Sequence, residues 1–210
     1  MIDYSKYYTG FWCQGSCGNF IIYLMSCHAG FYKHDYRTYH ANDRDNVFKD
    51  SHLQLNLPTW KHNSTTHKRR RELSFDYYYF KNGLNKHNKK VAFKQLPHGY
   101  DTKRILTEDH KKINFFIIEG GNNVKWLIDR NARLRGTKKY LDETSFQYPK
   151  LKKHLKKNNY TNTLFLDITK ILTCDEEEYI KLCDWIKEEP LPNWKEIVQD
   201  YKKLVNIVID

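Results

Sequence analysis

Alanine and long apolar runs are both scarce in this chain of 210 residues. Only four alanines occur, while lysine, asparagine, isoleucine, tyrosine and phenylalanine are used heavily, a bias that indicates an AT-rich coding genome. The longest apolar stretch, residues 20–25, is far shorter than the roughly 20 residues that a membrane-spanning helix needs. The N-terminus also lacks the basic, apolar and small-residue pattern of a secretion signal. We therefore expect no membrane partner and no export.

Cysteine is also sparse, and its five copies are odd in number and unevenly placed. An odd count in a chain of this size argues against a framework of disulfides. Reduced thiols are typical of intracellular proteins. The cysteine content therefore predicts a cytoplasmic protein in a reducing environment, with the nucleus as the alternative compartment.

Charge is abundant and unevenly distributed. The whole chain carries +11, whereas residues 174–210 hold five Lys and ten Asp or Glu, a net charge of −5. This difference leaves +16 on residues 1–173. A positive field attracts polyanions, and Lys or Arg contacts with phosphate gain affinity by releasing counterions. The charge distribution thus predicts a nucleic-acid partner.

Apolar runs and turn residues predict one α+β domain over residues 1–210, with a basic, β-rich part at 1–173 and an acidic, helical part at 174–210. Glycines 10, 15 and 18 suggest tight turns between strands. Residues 113–119 and 124–129 flank a Gly/Asn turn and resemble a hairpin. Further predicted strands include residues 7–12, 20–25, 91–96 and 163–168. The expected architecture is a mostly antiparallel sheet packed by two C-terminal helices, the first capped by Thr173.

A group of Cys and His residues near the N-terminus has the composition of a metal site. Two close pairs are separated by ten residues: Cys13, Cys17, His28 and His34. Zinc prefers four thiolate or imidazole ligands arranged as close pairs. The gap between the pairs is shorter than in common zinc fingers, so reduced core thiols and surface imidazoles are the alternative. No other cofactor is indicated.

Two sets of residues suggest nucleic-acid cleavage. A metal-dependent nuclease would use Asp101 and Glu119, although Gly121 stands where a lysine normally follows the acid. A metal-free ribonuclease needs a histidine base, an acid and a cation for the phosphate. Residues of those types cluster at His98, Asp101, Arg104 and His110. Ten histidines in a basic chain also produce such groupings by chance, so whether the protein is an enzyme stays open.

Basic stretches next to aromatic residues are better supported as binding surfaces. One is Lys68, Arg69, Arg70 and Arg71, shortly before the aromatic residues 77–80. The other is Arg130, Arg133, Arg135, Lys138 and Lys139, which follows Trp126. Cations interleaved with aromatic rings suit phosphate pairing together with base stacking on single strands or RNA.

Residues 10–20 contain the pattern Gly-Phe-Trp-x-Gln-Gly-x-x-x-x-Phe. This stretch resembles a family of small, largely uncharacterised phage proteins. In that family the position after the second glycine is usually acidic, and small residues follow it. Ser16 and Cys17 depart from that pattern. The resemblance implies an origin in a mobile element and implies no activity.

These features together predict a nucleic-acid-binding protein of a virus, phage or plasmid, with RNA or single strands favoured over duplex sequence. A nuclease or RNA-cleaving toxin is the first alternative. A non-enzymatic inhibitor of a host protein is the second. The sequence does not indicate an oligomeric state.

Overall fold

The computed structural model describes residues 3–12, 16–32, 36–39, 52–55, 59–60, 89–95, 113–121, 124–129, 148–204 and 207–209. Its strands are β1 (Tyr7–Phe11), β2 (Tyr36–Tyr39), β3 (His52–Leu55), β4 (Thr59–Trp60), β5 (Val91–Gln95), β6 (Asn114–Glu119) and β7 (Thr163–Asp167). Its helices are α1 (Gly18–Ser26), α2 (Pro149–Lys157), α3 (Ile168–Leu172), α4 (Glu176–Ile186) and α5 (Trp194–Leu204). A single 3₁₀ turn precedes β1 at Tyr4–Lys6, and a short helical segment occupies residues 125–129.

The main sheet has the order β4-β5-β1-β6-β7, and every neighbouring pair of strands is parallel. β4 adds only two residues at one edge, whereas β2 and β3 form a separate antiparallel pair. The expectation of a mostly antiparallel sheet is therefore wrong. The reason is visible in the burial: all five residues of β1 and the central four of β6 are buried. Strands covered on both faces are typical of parallel sheets.

Two predicted strands are wrong as well. Residues 20–25 lie in α1 rather than in a strand, because the run is short and apolar on every side and periodicity alone does not separate a buried helix from a buried strand. The predicted hairpin is wrong, because β6 is followed at residues 125–129 by a helical segment. Gly10 lies within β1 and Gly18 begins α1, so neither forms the predicted turn between strands.

Other predictions are confirmed. β1, β5 and β7 coincide with the expected strands, and α4 and α5 are the two expected C-terminal helices. The cap of α4 is Asp175 rather than Thr173, and the Oδ1 atom of Asp175 accepts a hydrogen bond of 2.9 Å from the Glu178 amide. The acidic first turn of α4 is the one that the sequence indicates, and it suits the positive end of the helix dipole.

Helices cover both faces of the sheet. Tyr8 packs edge-on against Trp185 of α4, with ring centroids 5.2 Å apart. Phe11 packs edge-on against Tyr148, directly before α2, also at 5.2 Å. Side chains three residues apart on a strand point to opposite faces. Consequently α4 lies on one face of the sheet and α2 on the other.

Candidate functional site

Helix α2 is a basic, amphipathic helix with the sequence Pro-Lys-Leu-Lys-Lys-His-Leu-Lys-Lys. Pro149 occupies the first turn, where a missing amide hydrogen costs nothing. Leu151 and Leu155, four residues apart, are both buried in the core. Because these two leucines hold one side of the helix against the protein, the remaining positions turn outward. Lysines occupy most of them.

Three of these outward lysines form what we call the lysine face: Lys153, Lys156 and Lys157. All three are exposed. In contrast, Lys152 pairs with Glu119 at 2.5 Å and lies 5.2 Å from the centre of the Phe165 ring. Among the residues that the structure describes, no carboxylate lies within 4.0 Å of any lysine of the lysine face. Their charge is therefore not neutralised by a described neighbour.

The opposite face of the sheet presents acidic side chains. Glu176, Glu177 and Asp184 of α4 are all exposed. The lysine face lies behind the sheet from them, because α2 and α4 cover different faces. In its described part the protein therefore has a basic side and an acidic side, a separation that a net charge alone does not reveal.

Of the residues predicted to be catalytic, only Glu119 lies within the described part of the chain. His98, Asp101, Arg104 and His110 lie outside it. Glu119 ends β6 and is held by Lys152. In the sheet it is the register partner of Asp167, but Asp167 Oδ1 accepts hydrogen bonds from the Thr169 and Lys170 amides and caps α3. The two neighbouring carboxylates are thus committed to different structural partners, and catalysis stays a prediction.

The predicted zinc site is only partly within the described residues, since Cys13 and His34 lie outside them. Cys17 is buried at the start of α1 with a left-handed φ of 58°. His28 is 1% exposed, and both of its ring nitrogens face protein atoms. Nδ1 lies 3.1 Å from the Glu189 carbonyl oxygen, and Nε2 lies 3.4 Å from the Tyr179 hydroxyl. These contacts favour a core role for His28 over a ligand role.

Within the described ranges, no three His, Cys, Asp or Glu side chains come together as metal ligands do. The zinc site therefore stays a prediction from the sequence. Its test would have to involve the residues outside those ranges.

The His28 ring belongs to a hydrogen-bonded chain in the core. A carbonyl oxygen only accepts, so Nδ1 donates to Glu189 and Nε2 is left to accept from Tyr179. The Tyr179 hydroxyl itself accepts a 3.0 Å hydrogen bond from the Leu191 amide. Burial lowers the pKa of His28 below its ordinary value and outweighs the opposing influence of Glu188. The ring is accordingly neutral near pH 7.

The loop after β1 lies at the carboxyl edge of the parallel sheet, where such folds commonly bind ligands. Here the glycines around it make room for aromatic side chains. A Cβ atom on Gly10 would lie 2.3 Å from the Phe116 ring, and one on Gly18 would lie 2.0 Å from the Trp12 ring. Trp12 itself stacks on Phe116, with centroids 5.9 Å apart. Gly10 and Gly18 thus serve packing in this structure.

The two predicted basic clusters, Lys68, Arg69, Arg70 and Arg71, and Arg130, Arg133, Arg135, Lys138 and Lys139, lie outside the described residues. The lysine face was missed as a site from the sequence. Its signal was present: Pro149 followed by Leu151 and Leu155 at a spacing of four predicts a helix with one buried side. The lysines between and after those leucines are then expected to face outward.

No family model matches this chain, and no curated protein or solved structure is significantly similar to it. In the described part of the chain, none of the helices has both the length and the apolar character required to cross a membrane.

Proposed function

We propose that this protein binds nucleic acid, with RNA or single strands favoured, and that the lysine face of α2 contacts the phosphate backbone. The observation that carries this proposal is the exposure of Lys153, Lys156 and Lys157 without a carboxylate within 4.0 Å among the described residues. Lysines that no described carboxylate neutralises can pair with phosphates, and each such pairing releases counterions condensed on the nucleic acid. The +16 charge of residues 1–173 adds a long-range attraction of the same sign.

Aromatic rings near the lysine face support a preference for unpaired bases. His154 and Tyr160 lie with ring centroids 6.2 Å apart at the end of α2, and both are half-buried. Partly accessible rings beside cations offer stacking surfaces to bases that are not paired. The basic clusters at residues 68–71 and 130–139 lie outside the described residues and add to the positive charge of the chain. This proposal places the protein in the cytoplasm or nucleus, where such polyanions are available.

The test is the affinity of the purified protein for labelled strands of about 20 nucleotides, measured by fluorescence anisotropy across a salt series. Oligo(U), oligo(dT) and a DNA duplex are compared. We expect the logarithm of the association constant to fall linearly with the logarithm of salt concentration. The combined variant K153Q/K156Q/K157Q should reduce this slope by about 2 on single strands, at about 0.7 for each lost phosphate contact.

The matched control removes three lysines from α5 instead, as K195Q/K202Q/K203Q. It changes the net charge by the same amount, and α5 packs with α1 and α4 away from α2. A slope that falls equally in both variants would mean that net charge alone matters and that the lysine face is no site. Wild-type affinity that does not change with salt would overturn the proposal itself.

A further inference from the structure

Helix α4 carries an open groove on its solvent side. The groove has a volume of about 640 Å³ and a mainly apolar lining. Its floor is Ile180 and Trp185, and its rim is Glu176, Glu177 and Asp184, with Lys181 beside them. We call this set of residues the acidic groove. An apolar floor with an acidic rim suits a partner surface that combines apolar atoms with positive charge.

The acidic groove is built on a fixed support. Trp185 packs edge-on against Tyr8 at 5.2 Å and against Phe116 at 6.3 Å between ring centroids. The positive charge in the groove is already engaged, because Lys181 Nζ donates a 2.9 Å hydrogen bond to Glu178 Oε1. Of the rim acids, Glu176 also lies 3.7 Å from Lys195 Nζ, so Glu177 and Asp184 supply most of the negative charge that a partner would meet.

Charge complementarity identifies an occupant within this same chain. The lysine face of α2 presents three exposed lysines, whose aliphatic stems can cover the apolar floor of a groove while their ammonium groups meet its acidic rim. It lies on the other face of the sheet from the acidic groove. We propose that the acidic groove docks the lysine face of a second copy of this chain. The net charge of +11 opposes most contacts between two copies. Head-to-tail docking is the arrangement that brings unlike charges together.

The position of the two surfaces determines the kind of assembly. Because the acidic groove and the lysine face lie on opposite faces of the sheet, a pair of copies forms one such contact and leaves one groove and one lysine face free. Such a contact is heterologous and extends into open chains rather than closing as a two-fold dimer. A contact between two short helices is also smaller than a standard stable interface, so the association is weak and reversible.

This inference shares the lysine face with the proposed function but does not depend on it. Nucleic acid and the acidic groove of a neighbour would compete for the same lysines. Self-association would therefore conceal the lysine face when no polyanion is present. Added oligonucleotide would therefore dissociate the assemblies.

Sedimentation velocity at high protein concentration tests the proposal with a charge exchange. The wild-type protein should show a weight-average sedimentation coefficient that rises with concentration at low salt and loses that rise at about 0.5 M salt. The groove variant E177K/D184K and the face variant K153E/K156E should each sediment as monomers. Mixed in equal amounts they should associate again, because each supplies the charge that the other lacks.

The control E196K/D200K reverses two exposed acids of α5 and raises the net charge by the same four units as E177K/D184K. It should still associate, somewhat more weakly than the wild-type protein, where the groove variant does not. Circular dichroism checks that each variant is folded, and E177Q/D184N replaces the groove variant if E177K/D184K is not. A wild-type protein that stays monomeric at low salt, or a mixture that does not associate, would overturn the proposal. Oligonucleotide binding tests the proposed function separately. If that function holds, E177K/D184K should still bind oligonucleotide and K153E/K156E should not, even where the copies do not associate.

Discussion

At the scale of single residues, the lack of a side chain at Gly10 decides how the centre of the sheet packs. Gly10 pairs in register with Phe116 of the neighbouring strand, and the Phe116 ring lies over the position where a Cβ atom would stand. The φ angle of Gly10 is one that other residues adopt, so the requirement is for space and not for backbone freedom. The same holds for Gly18 beneath Trp12.

Replacing Gly10 by Ala should destabilise the protein by about 1–3 kcal/mol, the usual cost of overpacking a dense core. The added methyl group would stand 2.3 Å from two Phe116 ring atoms, and the buried ring has little room to move. Urea denaturation measures the change in the free energy of unfolding. The same G10A change should cost less stability in the F116L background, where the neighbouring side chain is smaller, than in the wild-type protein. Additive losses would show that the two positions do not interact.

His28 should make stability depend on pH. Its pKa in the folded protein is lowered by burial, so the unfolded chain binds more protons near its ordinary value of 6.5. The contribution of His28 to the free energy of unfolding is therefore fully present above about pH 6.5. It is lost as the pH falls through that value towards the lowered pKa. One histidine changes this energy by at most about 1.4 kcal/mol per pH unit. Urea denaturation between pH 7.5 and pH 5 measures the slope.

The variant H28Q should be less stable than the wild-type protein at pH 7.5 but should lose part of the slope between pH 6.5 and pH 5. The matched variant H154Q changes a half-buried histidine on α2 and should keep that slope. A slope that survives in H28Q would assign the pH dependence to other groups.

At the scale of secondary structure elements, both ends of α4 are held by side chains. Asp175 caps the first turn, and Lys90, which precedes β5, reaches the last turn. The Lys90 ammonium donates hydrogen bonds of 2.8 and 2.9 Å to the carbonyl oxygens of Ile186 and Lys187 and pairs with Glu188 Oε1 at 2.5 Å. Carbonyl groups at a helix end lack intrahelical partners, and a cation there also suits the helix dipole.

Glu188 completes this arrangement. Burial by itself raises the pKa of Glu188, but the hydrogen bonds from Lys90 and the Gly30 amide outweigh it and leave the pKa below its ordinary value of 4.5. Its contribution to stability is accordingly present above about pH 4.5 and is lost as the pH falls further towards the lowered value.

Replacing Lys90 by Met should destabilise the protein by about 2–3 kcal/mol, because three charge-assisted hydrogen bonds disappear while Glu188 stays half-buried. The adjacent variant K89M removes an exposed lysine with one 3.3 Å hydrogen bond to the Ala29 carbonyl and should change stability by less than about 0.5 kcal/mol. Thermal denaturation of both variants measures the difference. Equal losses would show that the position of the ammonium at the end of α4 is unimportant.

At the scale of the whole molecule, two charged surfaces are separated by a parallel sheet. Trp185 of α4 contacts Tyr8, and Tyr148, directly before α2, contacts Phe11 of the same strand from the opposite side. This separation underlies both proposals, because it leaves the lysine face without acidic neighbours among the described residues and places the acidic groove where another copy can reach it. A uniform mixture of charges would support neither.

Local patterns in the sequence are enough to locate several elements. β1, β5 and β7 follow from apolar and β-branched runs, α4 and α5 follow from helical periodicity, and the acidic first turn of α4 follows from its composition. These features depend on neighbours a few residues apart in the chain, so they can be recognised without knowing the fold.

Which strands pair, and in which direction, depends on contacts between distant parts of the chain. Residues 20–25 and 115–118 are apolar throughout, and such runs suit either a strand or a helix covered on all sides. The packing of Phe20 on Tyr201 and of Phe116 on Trp12 joins parts of the chain whose proximity no local pattern encodes. The spacing of Leu151 and Leu155 is a local signal for α2 and its outward lysines. That no carboxylate of a described residue pairs with Lys153, Lys156 or Lys157 follows from the packing of distant segments, which no local pattern encodes.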